Sequence, residues 1–167
     1  ASHPKSDFHM KKILVAGATG YLGQFVVKAS KAKGYWVRAL GRSAEKLASV
    51  EEYADEWFVG EVTEPDSING LCDGMDVVFS SVGITRQKDG LTYKDVDYQA
   101  NSNLLTMAEA SGVSKFMYVH ILNAEKLRHI AMIQAKQAFV DELRRSTLDD
   151  MVICPTGFFS DMEELLS

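Results

Sequence analysis

Three glycines within seven residues, Gly17-Ala18-Thr19-Gly20-Tyr21-Leu22-Gly23, are the part of this chain best suited to chemistry. They directly follow the apolar run Ile13-Leu14-Val15-Ala16, and they precede Leu22, Phe25, Val26 and Ala29, which recur at helical spacing. A strand that turns sharply into a helix leaves the first helical N–H groups without backbone acceptors, and the aligned peptide dipoles make that end partly positive. The chemistry this favours is the holding of a phosphate or pyrophosphate. Gly17 permits the tight exit from the strand, Gly20 leaves room for the phosphate at the helix start, and Gly23 lets the helix pack closely on the strand.

The next apolar strand, Tyr35-Trp36-Val37-Arg38-Ala39-Leu40, leads to Gly41-Arg42-Ser43. At this place an acidic side chain selects a ribose 2′-hydroxyl, whereas an arginine accommodates a 2′-phosphate. Arg42 offers a planar, bidentate fork, Ser43 a hydroxyl, and Lys46 a second cation one helical turn on. The expected ligand is therefore NADP(H), with NAD(H) left open. Two later turns lie at the carboxyl ends of strands, where open α/β sheets bind ligands. Gly60-Glu61-Val62 is placed to approach an adenine, and Ser80-Ser81-Val82-Gly83 to run beside a nicotinamide ribose.

The elements that must position these residues alternate along the chain. Trp57-Phe58-Val59 is a third strand, Met75 to Ser80 a fourth, Phe116 to Val119 a fifth and Met151 to Cys154 a sixth. Helical patterns start at Ser43, at Pro65, near Tyr93 (running to Ser111, with Gly112 as a stop) and near Leu127 (running to Arg145). Six strands alternating with helices predict the α/β class: a Rossmann, doubly wound parallel sheet in the order 3-2-1-4-5-6, with helices on both faces.

The chain has 167 residues, 46% hydrophobic and 25% charged, enough apolar material for one domain with a sizeable core. A net charge of -5 argues against a nucleic-acid-binding surface. No window approaches the ~20 apolar residues of a membrane span, so a soluble, cytoplasmic protein without a membrane partner is expected. Cys72 and Cys154 have no metal-ligand spacing with the four histidines, which predicts reduced, buried thiols and no metal site. Residues 1–9 read as a leader outside the fold, leaving 10–167 as the dinucleotide-binding domain. Little follows the turn Pro155-Thr156-Gly157, so a C-terminal substrate lobe is expected to be missing or truncated.

The motifs GATGYLG, ALGRSAEKL, VFSSVG, DYQANSNLLTMAEASGVSKFMYV and PTGFF, in this order, resemble an atypical short-chain dehydrogenase/reductase of the NmrA-like, NAD(P)H-binding branch, related to NAD-dependent epimerases and dehydratases. The resemblance covers nearly the whole chain. It implies that Gly17, Thr19, Gly20, Tyr21, Leu22, Arg42, Val62, Ser81 and Gly83 line the cofactor groove, with Pro155 and Thr156 near its nicotinamide end. It also implies that Lys136 is the lysine of the family's Y-x-x-x-K, which contacts the nicotinamide ribose and assists proton transfer. The tyrosine position, four residues earlier, holds Met132, and the usual Ser or Thr after strand five is His120, a group that titrates near neutrality. Lys136 and His120 are thus the candidate catalytic groups of an incomplete set. Two functions follow: an NADP(H)-dependent oxidoreductase or epimerase-like enzyme acting on a small organic substrate, or a non-catalytic sensor, regulator or assembly factor that binds dinucleotide and a protein partner. The sequence leaves the oligomeric state open.

Overall fold

The computed structural model describes residues 10–82, 98–119 and 130–153, the side chains at 130–133 excepted. Six strands form one sheet: β1 (Lys12–Ala16), β2 (Trp36–Gly41), β3 (Glu56–Val59), β4 (Val77–Ser80), β5 (Lys115–Val119) and β6 (Asp149–Ile153). Their order is β3-β2-β1-β4-β5-β6, and all five pairings are parallel, as expected. The apolar runs of β1, β4 and β5 are buried on both faces, which is why they read as continuous rather than alternating hydrophobic segments.

Successive side chains of a strand point to opposite faces, and the two halves of the core follow from this. On one face Leu14, Ala16, Val78, Phe116 and Tyr118 pack with Leu104, Leu105 and Ala108 of α3 (Asn101–Ala110) and with Phe139, Val140 and Leu143 of α4 (Ile130–Arg145). On the other, Ile13, Val15, Val37, Ala39, Phe79 and Met117 pack with Val26 and Val27 of α1 (Tyr21–Ala32). Leu47, Val50 and Ala54 complete that face. Each fully buried Leu, Val or Phe contributes about 1.5–3 kcal/mol from the surface it removes from water.

The stop after α1 is the one anticipated. Gly34 takes φ +87°, and the Tyr35 N–H returns to the Ser30 carbonyl at 3.0 Å. Ser43 does cap a helix, α2 (Ala44–Leu47), with its Oγ accepting from the Lys46 N–H at 3.3 Å. That helix is a single turn continued by a 3₁₀ turn, Ala48–Val50. Pro65 opens a 3₁₀ turn, Pro65–Ile68, rather than the first turn of an α-helix, because the positive-φ residues Gly70 and Gly74 reverse the chain within one further turn. The helix expected from Tyr93 is α3, preceded by a π turn at 98–100; its earlier part lies outside the described residues, as does the start of the helix expected at Leu127. β6 begins two residues before the predicted Met151.

Cys72 is buried, and burial pushes its thiol up to about 12, against an opposing pull from Arg38, so it is protonated at neutral pH and packs as a small apolar group. Cys154 lies outside the described residues. Among the described residues no three His, Cys, Asp or Glu side chains converge to hold a metal ion, and no helix is long and apolar enough to cross a membrane.

Candidate dinucleotide-binding site

The order of the strands fixes where a ligand can lie. β1 has β2 on one side and β4 on the other, so the chain leaves toward opposite faces on either side of β1, and a crevice opens at the carboxyl end of this switch point. Both turns predicted from the sequence meet there. The Ser81 N–H donates to the Ala16 carbonyl at 3.1 Å, and a Cβ built on Gly17 would stand 2.5 Å from the Ser81 Oγ.

The three glycines of the turn prove to have three different reasons. Gly17 has φ +84°, a conformation open to glycine at little cost, and sits against Ser81. Gly23 is buried in α1, and a Cβ there would fall 1.9 Å from the Gly17 carbonyl oxygen. Gly20 is the N-cap of α1 and is exposed; a Cβ on it would meet only the Gly17 oxygen, at 3.5 Å. The protein's own packing therefore does not demand glycine at 20, and the space beside it is available to a ligand.

The end of α1 is electrostatically prepared for an anion. Its first intrahelical bond runs from the Gln24 N–H to the Gly20 carbonyl (2.9 Å), which leaves the N–H groups of Tyr21, Leu22 and Gly23 ahead of the helical ladder. No side chain caps this end, and no acidic residue lies in the first turn to compete for it. The Thr19 carbonyl accepts from the Gln24 Nε2 at 2.8 Å, which holds the turn in place. Tyr21 is 80% exposed and free to lie along a ligand, while Leu22 is half-buried. This cradle fits a pyrophosphate.

At the end of β2, Arg42 extends into solvent with its guanidinium 3.9 Å from the Glu61 carboxylate. Ser43 is committed as the α2 cap, which leaves its hydroxyl proton available to a phosphate oxygen; Lys46 is exposed one turn on. The Glu61 N–H donates to the Ser67 Oγ at 2.9 Å, which fixes the turn after β3. Val62 is only 6% exposed: its side chain belongs to the core, and its carbonyl accepts from Asn103 at 3.0 Å.

The turn after β4 is held by a residue that the sequence did not single out. Asn101, buried at the start of α3, accepts from the Ser80 Oγ and donates its Nδ2 to the Val82 carbonyl at 3.0 Å. The Ser80 Oγ in turn accepts from the Val82 N–H. The only sequence signal was an asparagine inside an apolar helical stripe. Lys136 is likewise not a solvated helix lysine. It is 5% exposed, its Nζ donates to the Tyr118 hydroxyl at 3.5 Å, and it lies 5.5 Å over the Tyr118 ring. Tyr98 packs against the core, and the Glu142 carboxylate pushes its phenol above the ordinary value. Gly83, Tyr93, His120, Pro155 and Thr156 lie outside the described residues.

A parallel sheet with this order and an uncapped, glycine-lined helix N-terminus at its switch point define a dinucleotide-binding Rossmann domain. Residues 17–165 match the family described as NAD(P)H-binding, and the chain belongs to that family. It is 30% identical over 150 residues to the photosystem II assembly factor Ycf39 of Cyanophora paradoxa, covering 90% of this chain and 46% of that protein. The chain thus spans about half the length of the relatives it matches. A putative NAD-dependent epimerase/dehydratase from Bacillus halodurans superposes with a TM-score of 0.76 at 22% identity, over 87% of this chain and 70% of that one. A metagenomic short-chain oxidoreductase in complex with NADP superposes with a TM-score of 0.73 at 16% identity, over 93% and 90%. The resemblance drawn from the motifs therefore holds for family and fold.

Proposed function

We propose that this chain binds NADP(H) and acts as a dinucleotide-responsive assembly or regulatory factor whose counterpart is a protein. The observation that carries this reading is a mismatch: the phosphate cradle and Arg42 are intact, while Met132 stands where the family's proton-transfer tyrosine belongs. Similarity to relatives named as assembly factors over 90% of the chain supports the same side. A bound NADP(H) would contribute a hydride and a large polyanionic surface; this chain's residues bind and orient it. The cradle at Gly20 to Gly23 would take the pyrophosphate, Arg42 and Ser43 the 2′-phosphate, and Ser81 and Val82 the nicotinamide ribose.

The second reading, an NADP(H)-dependent oxidoreductase or epimerase acting on a small organic substrate, is favoured by one observation. Lys136 is buried beside a tyrosine hydroxyl, that of Tyr118, although on a strand instead of the helix. Turnover separates the two readings. The full-length protein, saturated with NADPH and offered a panel of carbonyl and epimerase substrates, is expected to consume none of them; sustained oxidation of NADPH dependent on any substrate establishes the enzyme.

Cofactor selectivity rests on Arg42. An arginine–phosphate contact contributes about 1.5–3 kcal/mol, so Arg42→Glu is expected to weaken NADP(H) by roughly 10- to 100-fold and NAD(H) far less. Calorimetric titration of both cofactors reads the difference, and equal losses for the two rule out Arg42 as the 2′-phosphate ligand.

A further inference from the structure

β3 closes one edge of the sheet, and natural edges are usually blunted by lysine, proline or a bulge. This one carries apolar side chains instead. Trp57 is 44% exposed and Val59 52% exposed, and the two share one face of the strand, while Phe58 turns to the other and packs on the core. Backbone polarity follows the same alternation. The Gly60 N–H donates inward to the Gly41 carbonyl, and the pairing of Ala39 with Trp57 and of Gly41 with Val59 continues that pattern. The N–H and C=O groups of Trp57 and Val59 therefore point away from β2, along the open edge.

The charge that this stretch of chain itself carries has one sign. From Leu47 to Thr85 the chain contains no lysine or arginine and nine acidic residues. Three of the nine are answered from neighbouring elements: Asp55 by Lys31 at 2.6 Å, Glu56 by Arg38 at 3.3 Å and Glu61 by Arg42 at 3.9 Å. Glu51 and Glu52 in the turn entering β3, and Glu64 and Asp66 in the turn leaving it, are exposed and form no ion pair among the described residues. An apolar centre with outward backbone donors and acceptors is thus flanked at both ends by unanswered carboxylates.

We propose that the β3 edge takes an added strand from a protein partner, an extended segment that alternates apolar and basic residues. Its backbone would pair with Trp57 and Val59, its apolar side chains would cover theirs, and its cations would meet Glu51 and Glu52 at one end and Glu64 and Asp66 at the other. A second copy of this chain is a poor occupant. Two β3 edges related by a two-fold axis pair antiparallel, which brings Glu51 and Glu52 of one copy beside Glu64 and Asp66 of the other.

The probe is a fluorescein-labelled heptapeptide of alternating lysine and valine, with a counterpart carrying glutamate for each lysine. Anisotropy of the label and the emission of Trp57 are followed against peptide, with Trp36 as a half-buried internal background. Saturable binding of the lysine peptide below about 1 mM, weakened by salt, and no binding of the glutamate peptide are expected. Val59→Pro removes one outward N–H and leaves the bonds to β2 intact, and Trp57→Lys removes the apolar contact and adds a repelling cation without touching the backbone. Each is expected to weaken the lysine peptide by about tenfold or more. Equal binding of both peptides, undiminished binding by Trp57→Lys, or no saturation overturns the assignment. So does a dimer in sedimentation that Val59→Pro dissolves and the lysine peptide does not. Edge recognition and dinucleotide binding are separable, since NADPH titration of the same two variants is expected to match the parent protein.

Discussion

Gly20→Val is expected to remove dinucleotide binding while leaving the fold in place. The Cβ position at Gly20 has only the Gly17 carbonyl oxygen within reach, at 3.5 Å, and the residue is exposed in the extended conformation of an N-cap (φ -78°, ψ 168°), which any L-residue adopts. A branched side chain there fills the space in front of the Tyr21 and Leu22 N–H groups, where the pyrophosphate must come. Losing two charge-assisted hydrogen bonds of about 1.5–3 kcal/mol each corresponds to a weakening of about 100-fold or more. Valine is a poorer N-cap than glycine, and the loss, of order 1 kcal/mol, lowers the melting temperature by only a few degrees. Calorimetry with NADPH and a thermal melt on the same sample test both halves. Unchanged affinity would mean that the ligand does not approach the start of α1.

Much of this site is legible in the amino-acid sequence. The strand–turn–helix context of the glycines and Arg42 at the end of the second strand are local patterns, the alternation of strands and helices predicts a doubly wound sheet, and each is found in place. What stays hidden is tertiary. Three glycines at equal spacing look alike in a sequence, yet one is required by backbone conformation, one by helix packing, and one by neither. Asn101 is 21 and 19 residues from the two groups it holds, and Tyr118 is 18 residues from Lys136, so nothing in periodicity could join them. Val62 reads as a groove residue because its turn lies at the carboxyl end of a strand, but its side chain turns into the core face shared with α3. The helix expected at Pro65 fails for the opposite reason: its residues suit a helical first turn, and the two glycines that stop it show their positive φ only in the folded chain.

Gly23→Ala is expected to do the reverse of Gly20→Val: to destabilise the domain itself, and binding only through it. A methyl group at Gly23 would stand 1.9 Å from the Gly17 carbonyl oxygen, 2.6 Å from its carbonyl carbon and 2.9 Å from the Ala18 Cα. All three are backbone atoms of the turn between β1 and α1, so no side-chain rotation relieves the clash. Either α1 lifts from β1, uncovering Val26 and Val27, or the turn shifts and carries Gly17 against Ser81. In a helix interior alanine is intrinsically favoured over glycine by about 0.8–1 kcal/mol, so any loss of stability must come from this contact. Overpacking costs about 1–3 kcal/mol even where flexible side chains can move; here backbone must, which places the net loss at about 2 kcal/mol or more and the fall in melting temperature at about 4–8 °C. Ser30→Ala, also buried on α1 but with an Oγ that makes no hydrogen bond, provides the control and is expected to melt close to the parent protein. If Gly23→Ala instead melts as high as the parent, the close seating of α1 on the turn is wrong, and with it the geometry that aims the helix N-terminus at the phosphate.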